Sequence, residues 1–390
     1  MYLNKREEKR LLAGHLWVFS NEIDTKRSAL KDFTPGDCVN IVSSSGKVLG
    51  SAYVNPHSLI AARKYSDQAD KAFDLHFIKG RIQDALALRE QMFDKPYYRL
   101  IFSEGDFLPG LIIDRFDDTF VLQLNTAGVD RIQDMIIAVL EEMFNPTNIV
   151  LRNSTGSRQL ENLPKSVSIA KGDLSAPVYC EENDTRFLID VMHGQKTGWF
   201  YDQRFNRKNT LDYVKDKTVL DVFSYSGSWA VSAAKCGAQS VTAIDISQPA
   251  LDSLIANAKE NQVEGKVTAI CDDAFNAMRE LKKAGTQYDV VIIDPPAFIK
   301  RKKDLKEGLQ AYQRANQIAM SLVKRGGLFI SSSCSYHMSL SNLQNALLRS
   351  SRGIKRPLQI IQYGGQGPDH PIHPAIEETN YLKTIFARVL

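Results

Sequence analysis

The chain has 390 residues, 43% hydrophobic and 24% charged, an ordinary globular composition with length for about two or three cores. No apolar run is long enough to span a bilayer, and the N-terminus MYLNKREEKRLLAG mixes acids and bases where a secretory leader would be apolar, so no membrane partner is expected. A net charge of +4 permits a polyanionic partner without requiring one. The five cysteines (Cys38, Cys180, Cys236, Cys271, Cys334) lack C-x-x-C spacing and imply neither a disulfide framework nor a metal site, which fits a cytoplasmic location.

Residues 1–74 read as short β segments at 15–20, 38–42, 48–54 and 60–65, punctuated by Pro35-Gly36-Asp37 and by 43–46. Lys5, Arg6, Lys9 and Arg10 lie close to Trp17 and Phe19. The rings are either the core of a small β-barrel or part of a basic-aromatic surface for RNA. Residues 75–190 read as α+β scaffold. An amphipathic helix is expected at 73–92, then strands at 98–102 and 111–114, the latter running on to 120–125. A helix at 130–144, a strand at 148–153 and a mobile polar loop at 154–167 follow, and no catalytic constellation stands out.

His193–Arg204, HGQKTGWFYDQR, is either the lead into a helix at 202–214 or a cover over a ligand. Next comes the stretch around which the chain is organised. An apolar strand at 219–223 leads to the loop Ser224-Tyr225-Ser226-Gly227. An Ala-rich helix at 228–236 then stops at Gly237, and a second strand ends on Asp245. A strand–loop–helix–strand unit with a carboxylate about twenty positions after the loop can hold a nucleoside by its ribose. The loop lacks G-x-G-x-x-G, the usual cradle for a pyrophosphate. Asp221 near the first strand's end repels anions and attracts cations. S-adenosylmethionine, with a ribose, an ammonium and a sulfonium but no phosphate, fits this pattern.

A helix at 249–261 and a strand at 266–271 end on Asp272-Asp273, where Asp273 can accept from an adenine amine, cap the next helix, or both. The strand at 288–293 runs into Asp294-Pro295-Pro296-Ala297-Phe298. Two prolines make a rigid extended turn, which fixes a carboxylate and a ring at the sheet edge where open α/β sheets bind ligands. A carboxylate and a stacking face are what a flipped-out base needs. The run Lys300-Arg301-Lys302-Lys303 is a solvated loop or a set of phosphate contacts. A strand at 327–332 ends at Ser333-Cys334-Ser335, where the thiol is either inert core or a nucleophile at the edge shared with Asp294. A Gly-rich hairpin loop is expected at 364–368. His370 and His373 lack Cys or Glu partners for a metal. A last strand is expected at 381–389.

Together these motifs resemble the bacterial large-subunit rRNA (cytosine-C5) methyltransferases of the RlmI type. The resemblance runs through GHLWVFSNEI (14–23), EGDFLPGLIIDRF (104–116), GQKTGWFYDQR (194–204), LDVFSYSGSWAVSA (220–233), DPPAF (294–298), SSCS (332–335) and DHP…YLK (369–383). It implies a PUA barrel at 1–74, a central α+β domain at 75–190 and a Rossmann-like S-adenosylmethionine-dependent methyltransferase domain at 191–390. Its implied substrate is cytosine in 23S rRNA, free or in a ribosomal subunit precursor, with a homodimer left open. Carried over by position, the cofactor contacts are Thr197, Asp202, Gln203, Asp221, Phe223, Ser224, Gly227, Asp245, Ile246, Asp273, Ala274 and Asp294. Cys334 is the implied nucleophile, assisted by Asp294, with Pro295, Pro296, Phe298, Lys300 and Arg301 on the substrate side. Ser228 and Ala297 depart from the common family pattern, which often has Gly and Lys there. Two rival readings are methylation of an exocyclic amine, which needs no thiol, and a non-catalytic RNA-binding assembly factor.

Overall fold

The computed structural model describes residues 1–390. The chain forms two compact units. The first comprises 1–178, 189–201 and 368–379, and the second 179–188, 202–367 and 380–390. No helix is long and apolar enough to cross a membrane.

The first unit holds two sheets. Trp17–Phe19, Ile60–Ser66, Val48–Val54 and Cys38–Val42 pair antiparallel in that order. Tyr97–Phe102, Leu111–Phe116, Thr119–Leu124, Asn148–Asn153 and Ser166–Lys171 form the other sheet, against which the helices Leu75–Met92 and Gln133–Phe144 pack. Residues before the expected boundary at 74 have a core of their own, with Leu3, Val18, Ile41, Val54 and Ala62 buried together, while Tyr53 of the same sheet is buried in the core of the central one. Its hydroxyl donates to the carbonyl of Pro109 at 2.6 Å.

Three expectations here need correction. The strand expected to run unbroken from 111 to 125 is a hairpin, turned at Asp117 with a positive φ of 58°. The loop at 154–167 carries the helix Gly156–Leu160, and Glu161 is buried, accepting from Arg63, Asn55 and Ser58 at 2.8 Å each. The third domain does not begin cleanly at 191. Pro368–Thr379 returns to the first unit, where Asp369 accepts from Arg89 and from the Arg99 backbone. Tyr179–Leu188 belongs to the second unit, where the Arg186 and Leu188 amides donate to Asn261 and Asn257.

The second unit is a seven-stranded sheet: β1 (Thr218–Val222), β2 (Ser240–Asp245), β3 (Val267–Cys271), β4 (Tyr288–Ile293), β5 (Val323–Ser333), β6 (Leu358–Gly365) and β7 (Lys383–Val389). The order is β3-β2-β1-β4-β5-β7-β6, with β1 to β5 parallel and β7 antiparallel to both neighbours. Its helices are α1 (Arg204–Leu211), α2 (Ser228–Lys235), α3 (Gln248–Glu260), α4 (Ala274–Lys283), α5 (Leu305–Ser321) and α6 (Leu340–Gly353). The central strands are near-continuous apolar runs because helices cover them. Strand order reverses between β1 and β4, so a crevice opens at their C-terminal ends. The chain's chemistry-bearing motifs gather at that edge.

Candidate active site

At the end of β1 the chain turns sharply. Phe223 and Tyr225 have left-handed φ values of 66° and 48°, and Gly227 one of 84°. A Cβ on Gly227 would stand 2.5 Å from Leu254 Cγ, so conformation and space both require glycine. The Phe223 and Ser224 amides donate to Ile244 O at 2.9 and 3.0 Å. Asp245 ties the loop down, its Oδ2 accepting from Tyr225 N and its Oδ1 from Ser247 N, both at 2.9 Å.

Below this loop Asp221 is fully buried. Its Oδ2 accepts from the Ala230 amide at 3.1 Å, while Oδ1 and the buried Ser224 hydroxyl have no protein partner. Burial pushes the Asp221 carboxyl up to about 8, and the charges of Asp294 and Asp245 push the same way. Arg207 offsets little, since it is committed to Glu182 at 2.7 Å. Burial thus favours the protonated form of Asp221, and a cation placed beside it would favour the carboxylate.

Across the crevice the Asp294 amide donates to Val222 O at 3.3 Å, fastening β4 to β1. Gln203 donates from Nε2 to both Asp294 oxygens at 2.9 Å, and Trp229 donates from Nε1 at 3.3 Å. Asn206 in turn donates to Gln203 Oε1 at 2.6 Å. Asp202 accepts from the Tyr381 hydroxyl at 2.6 Å. Ile246, just past β2, is 72% exposed beside Asp245, an apolar platform at the sheet edge. Asp273 caps α4, accepting from Phe275 N and Asn276 N, and Ala274 is buried in the first turn.

Cys334 follows the last residue of β5. Ser331, Ser332, Ser333 and Ser335 are buried, while Cys334 is partly exposed. The surrounding turn is held by hydroxyls. Ser333 donates to the Tyr312 hydroxyl at 2.8 Å, Tyr312 and Ser335 are 2.9 Å apart, and Ile299 N donates to Ser335 Oγ at 3.3 Å. Phe298 leans on Tyr312, with ring centroids 4.8 Å apart. Pro295 is buried, whereas Pro296 and Lys300 are exposed, and Arg301 pairs with Asp304 at 3.2 Å.

Against known proteins, residues 1–67 match the PUA-like domain and residues 170–343 the S-adenosylmethionine-dependent methyltransferases. Over its full length the chain is 35% identical to ribosomal RNA large subunit methyltransferase I of Vibrio vulnificus, covering 99% of that protein. It is 35% identical, with the same coverage, to the protein of that name from Pseudoalteromonas translucida. The chain belongs to this methyltransferase family. The fold also matches a solved chain from Streptococcus mutans, provisionally described as a SAM-dependent methyltransferase. That match has a TM-score of 0.84 at 21% identity and covers 100% of this chain and 99% of the other.

The family's cofactor, S-adenosylmethionine, suits the residues present. The orphaned Asp221 oxygen answers a cation, and the exposed Ile246 answers a flat ring. Thr197 is fully buried in the first unit, where its hydroxyl donates to Asp114. Of the rings read as a ligand cover, Trp199 and Tyr201 are buried in that unit, Tyr201 donating to Arg115 O at 2.7 Å. Reading the sequence missed Trp229, Tyr312 and Lys383 as site residues. Tyr312 was hidden because α5 went unseen. Its periodicity of Leu305, Leu309, Tyr312, Ala315 and Ala319 would have revealed the helix. Lys383 Nζ donates to Ser335 O at 3.0 Å and Tyr381 O at 2.9 Å, a placement set by β-sheet pairing between distant segments.

Proposed function

We propose that the chain is a cytoplasmic enzyme that methylates carbon 5 of a cytosine in large-subunit (23S) ribosomal RNA, with Cys334 as nucleophile. The observation that carries this reading is the placement of Cys334. It is the one side chain of the 331–335 run that is not buried, and it comes just after the strand paired with β4, which runs into Asp294. When bound, S-adenosylmethionine supplies an electrophilic methyl group. Asp221, Ser224, Asp245, Ile246 and Asp273 would hold it.

Carbon 5 of cytosine is a weak nucleophile. Addition of the Cys334 thiolate to carbon 6 breaks the C5–C6 double bond and loads electron density onto carbon 5. Asp294, steadied by Gln203 and Trp229, accepts from the amino group at the base's pairing edge and handles proton traffic there. Phe298 offers a stacking face. Once carbon 5 carries the methyl group, loss of its proton lets the thiolate leave and restores the double bond.

The test is nucleoside mass spectrometry of rRNA from cells with and without the protein, repeated with Cys334→Ala. Loss of one 5-methylcytosine in both the deletion and the variant supports the reading. The rigid Asp294-Pro295-Pro296 turn favours one rival, an exocyclic-amine methyltransferase needing no thiol. Full turnover by Cys334→Ala and an N-methylated product would establish that rival. Failure to bind S-adenosylmethionine in calorimetry would favour a non-catalytic assembly factor.

A further inference from the structure

Beside the proposed base pocket, α5 and α6 enclose a groove of 520 Å³. Lys302 and Lys303 line it just before α5, Lys306 from the first turn of α5 and Arg349 from α6. All four are exposed, and none is in an ion pair. No carboxylate lines the groove. Of the two acids adjacent in sequence, Asp304 is held by Arg301 and Glu307 lies outside the groove lining. Like charges gathered along one groove repel, and a bound anion relieves that repulsion.

The rest of the lining narrows what that anion is. Gln310, Gln313, Asn342 and Asn345 add amides able to donate to phosphate or hydroxyl oxygens, over a floor of Leu305, Leu309 and Ala346. There is no aromatic ring, so the groove is not a base-stacking platform. Its residues recur at helical spacing along α5 and α6, so the charges extend about 10 Å in a line rather than closing around a point. That suits an extended polyanion better than a free phosphate. The groove starts where the chain leaves the Asp294–Ile299 turn, next to where the target base would sit.

We propose that this α5–α6 groove holds the phosphodiester backbone of the RNA strand flanking the target nucleotide, fixing its register without reading sequence. The inference rests on the RNA reading above but not on the carbon-5 chemistry. The test uses the full chain and a fluorescein-labelled single-stranded RNA of mixed sequence, with affinity measured by anisotropy across a salt series. Each phosphate contact on a single strand contributes about 0.7 to the log–log salt slope. Lys306→Gln with Arg349→Gln should therefore flatten the slope by about 1.4 and weaken binding roughly tenfold at physiological salt. Lys266→Gln, an exposed charge at the opposite edge of the sheet, should change little. S-adenosylmethionine affinity should be unchanged in all variants, showing that they are folded.

An unchanged slope in the double variant, or an equal loss in Lys266→Gln, would overturn the groove as an RNA track. So would preferential loss of binding to labelled poly-glutamate, which would mark the groove as a site for an acidic protein. The readout needs no methyl transfer. If the modified nucleoside proves not to be 5-methylcytosine, the salt slope still decides the groove, and if the groove fails, the nucleoside product still decides the chemistry.

Discussion

Lys383 stands directly across the β5–β7 ladder from Ser333, the residue before Cys334. Its ammonium is largely buried and donates to two backbone carbonyls, with no carboxylate in reach. Burial pushes its proton affinity down to about 8, and the negative charge available at Cys334 works against that fall. The ammonium thus sits where it favours the thiolate. Replacement by Met should slow iodoacetamide alkylation of Cys334 about fivefold at neutral pH, read peptide by peptide in a mass spectrometer. A purely structural lysine would leave that rate alone. Because the folded value lies below that of a free lysine, the unfolded chain holds the extra proton between about pH 8 and 10.5. Wild-type stability should therefore gain on Lys383→Met as pH rises through that window, in denaturant titrations at each pH.

Asp221 has the opposite sign. Its carboxyl is raised from 3.8 to about 8, so the folded chain holds a proton that the unfolded chain has lost. Stability conferred at this position falls as pH rises between those values. Asp221→Asn should abolish that decline in thermal melts. A bound cation reverses the local balance by favouring the carboxylate. Binding of S-adenosylmethionine at pH 6.5 should therefore release protons, seen as a buffer-dependent enthalpy in calorimetry. Affinity should rise with pH up to about 8 and then level off. In Asp221→Asn the release should vanish and affinity should fall roughly tenfold, the equivalent of one unit of pKa coupling.

On the proposed mechanism Gln203 would position Asp294, since its amide nitrogen spans both oxygens of that carboxylate and its amide oxygen is fixed by Asn206. Hydrogen bonds to a charged group are worth about 1.5–3 kcal/mol. Gln203→Leu should lower kcat by about ten- to a hundredfold on that basis, with a smaller change in KM for RNA. Gln203→Glu should be worse, because it sets a second carboxylate against Asp294. Asn, which keeps the donor but shortens the arm, should recover part of the loss. Single-turnover methylation of rRNA measures all three.

The parallel half of the second unit was legible because its strands are short apolar runs marked by acids: Asp221 lies within the first, and Asp245, Asp273 and Asp294 come at or just past the ends of the others. Less visible were one local hairpin and one return of the chain between distant segments. The hairpin Val178–Glu182 with Thr185–Ile189 carries polar residues on its exposed face, and the Pro368–Thr379 return belongs to the first unit through Asp369. The stretch 193–204, read as either a lead into a helix or a ligand cover, does run into α1 at Arg204, but it also straddles the two units: Trp199 and Tyr201 are buried in the first, while Asp202 and Gln203 belong to the second. Local sequence carries no sign of that division.

Gly308 offers a test of how rigidly α5 holds the Asp294–Ile299 turn. It lies inside a helix, where exchange of Gly for Ala ordinarily stabilises by about 1 kcal/mol. Here the added Cβ would stand 2.3 Å from Ile299 Cγ1 and 3.1 Å from Phe298 O, and Ile299 is buried. Overpacking of that kind costs about 1–3 kcal/mol. Gly308→Ala should therefore lower stability, and by displacing Phe298 it should reduce kcat while leaving S-adenosylmethionine affinity near wild type. Ile299→Ala alone leaves a cavity and also destabilises. Combined with Gly308→Ala it makes room for the new methyl group, so the double variant should be more stable than the two single losses added together. A cycle of denaturant titrations measures that coupling. Strict additivity would mean that α5 shifts freely away from the turn, and the turn would then owe its shape to its two prolines rather than to the helix behind it.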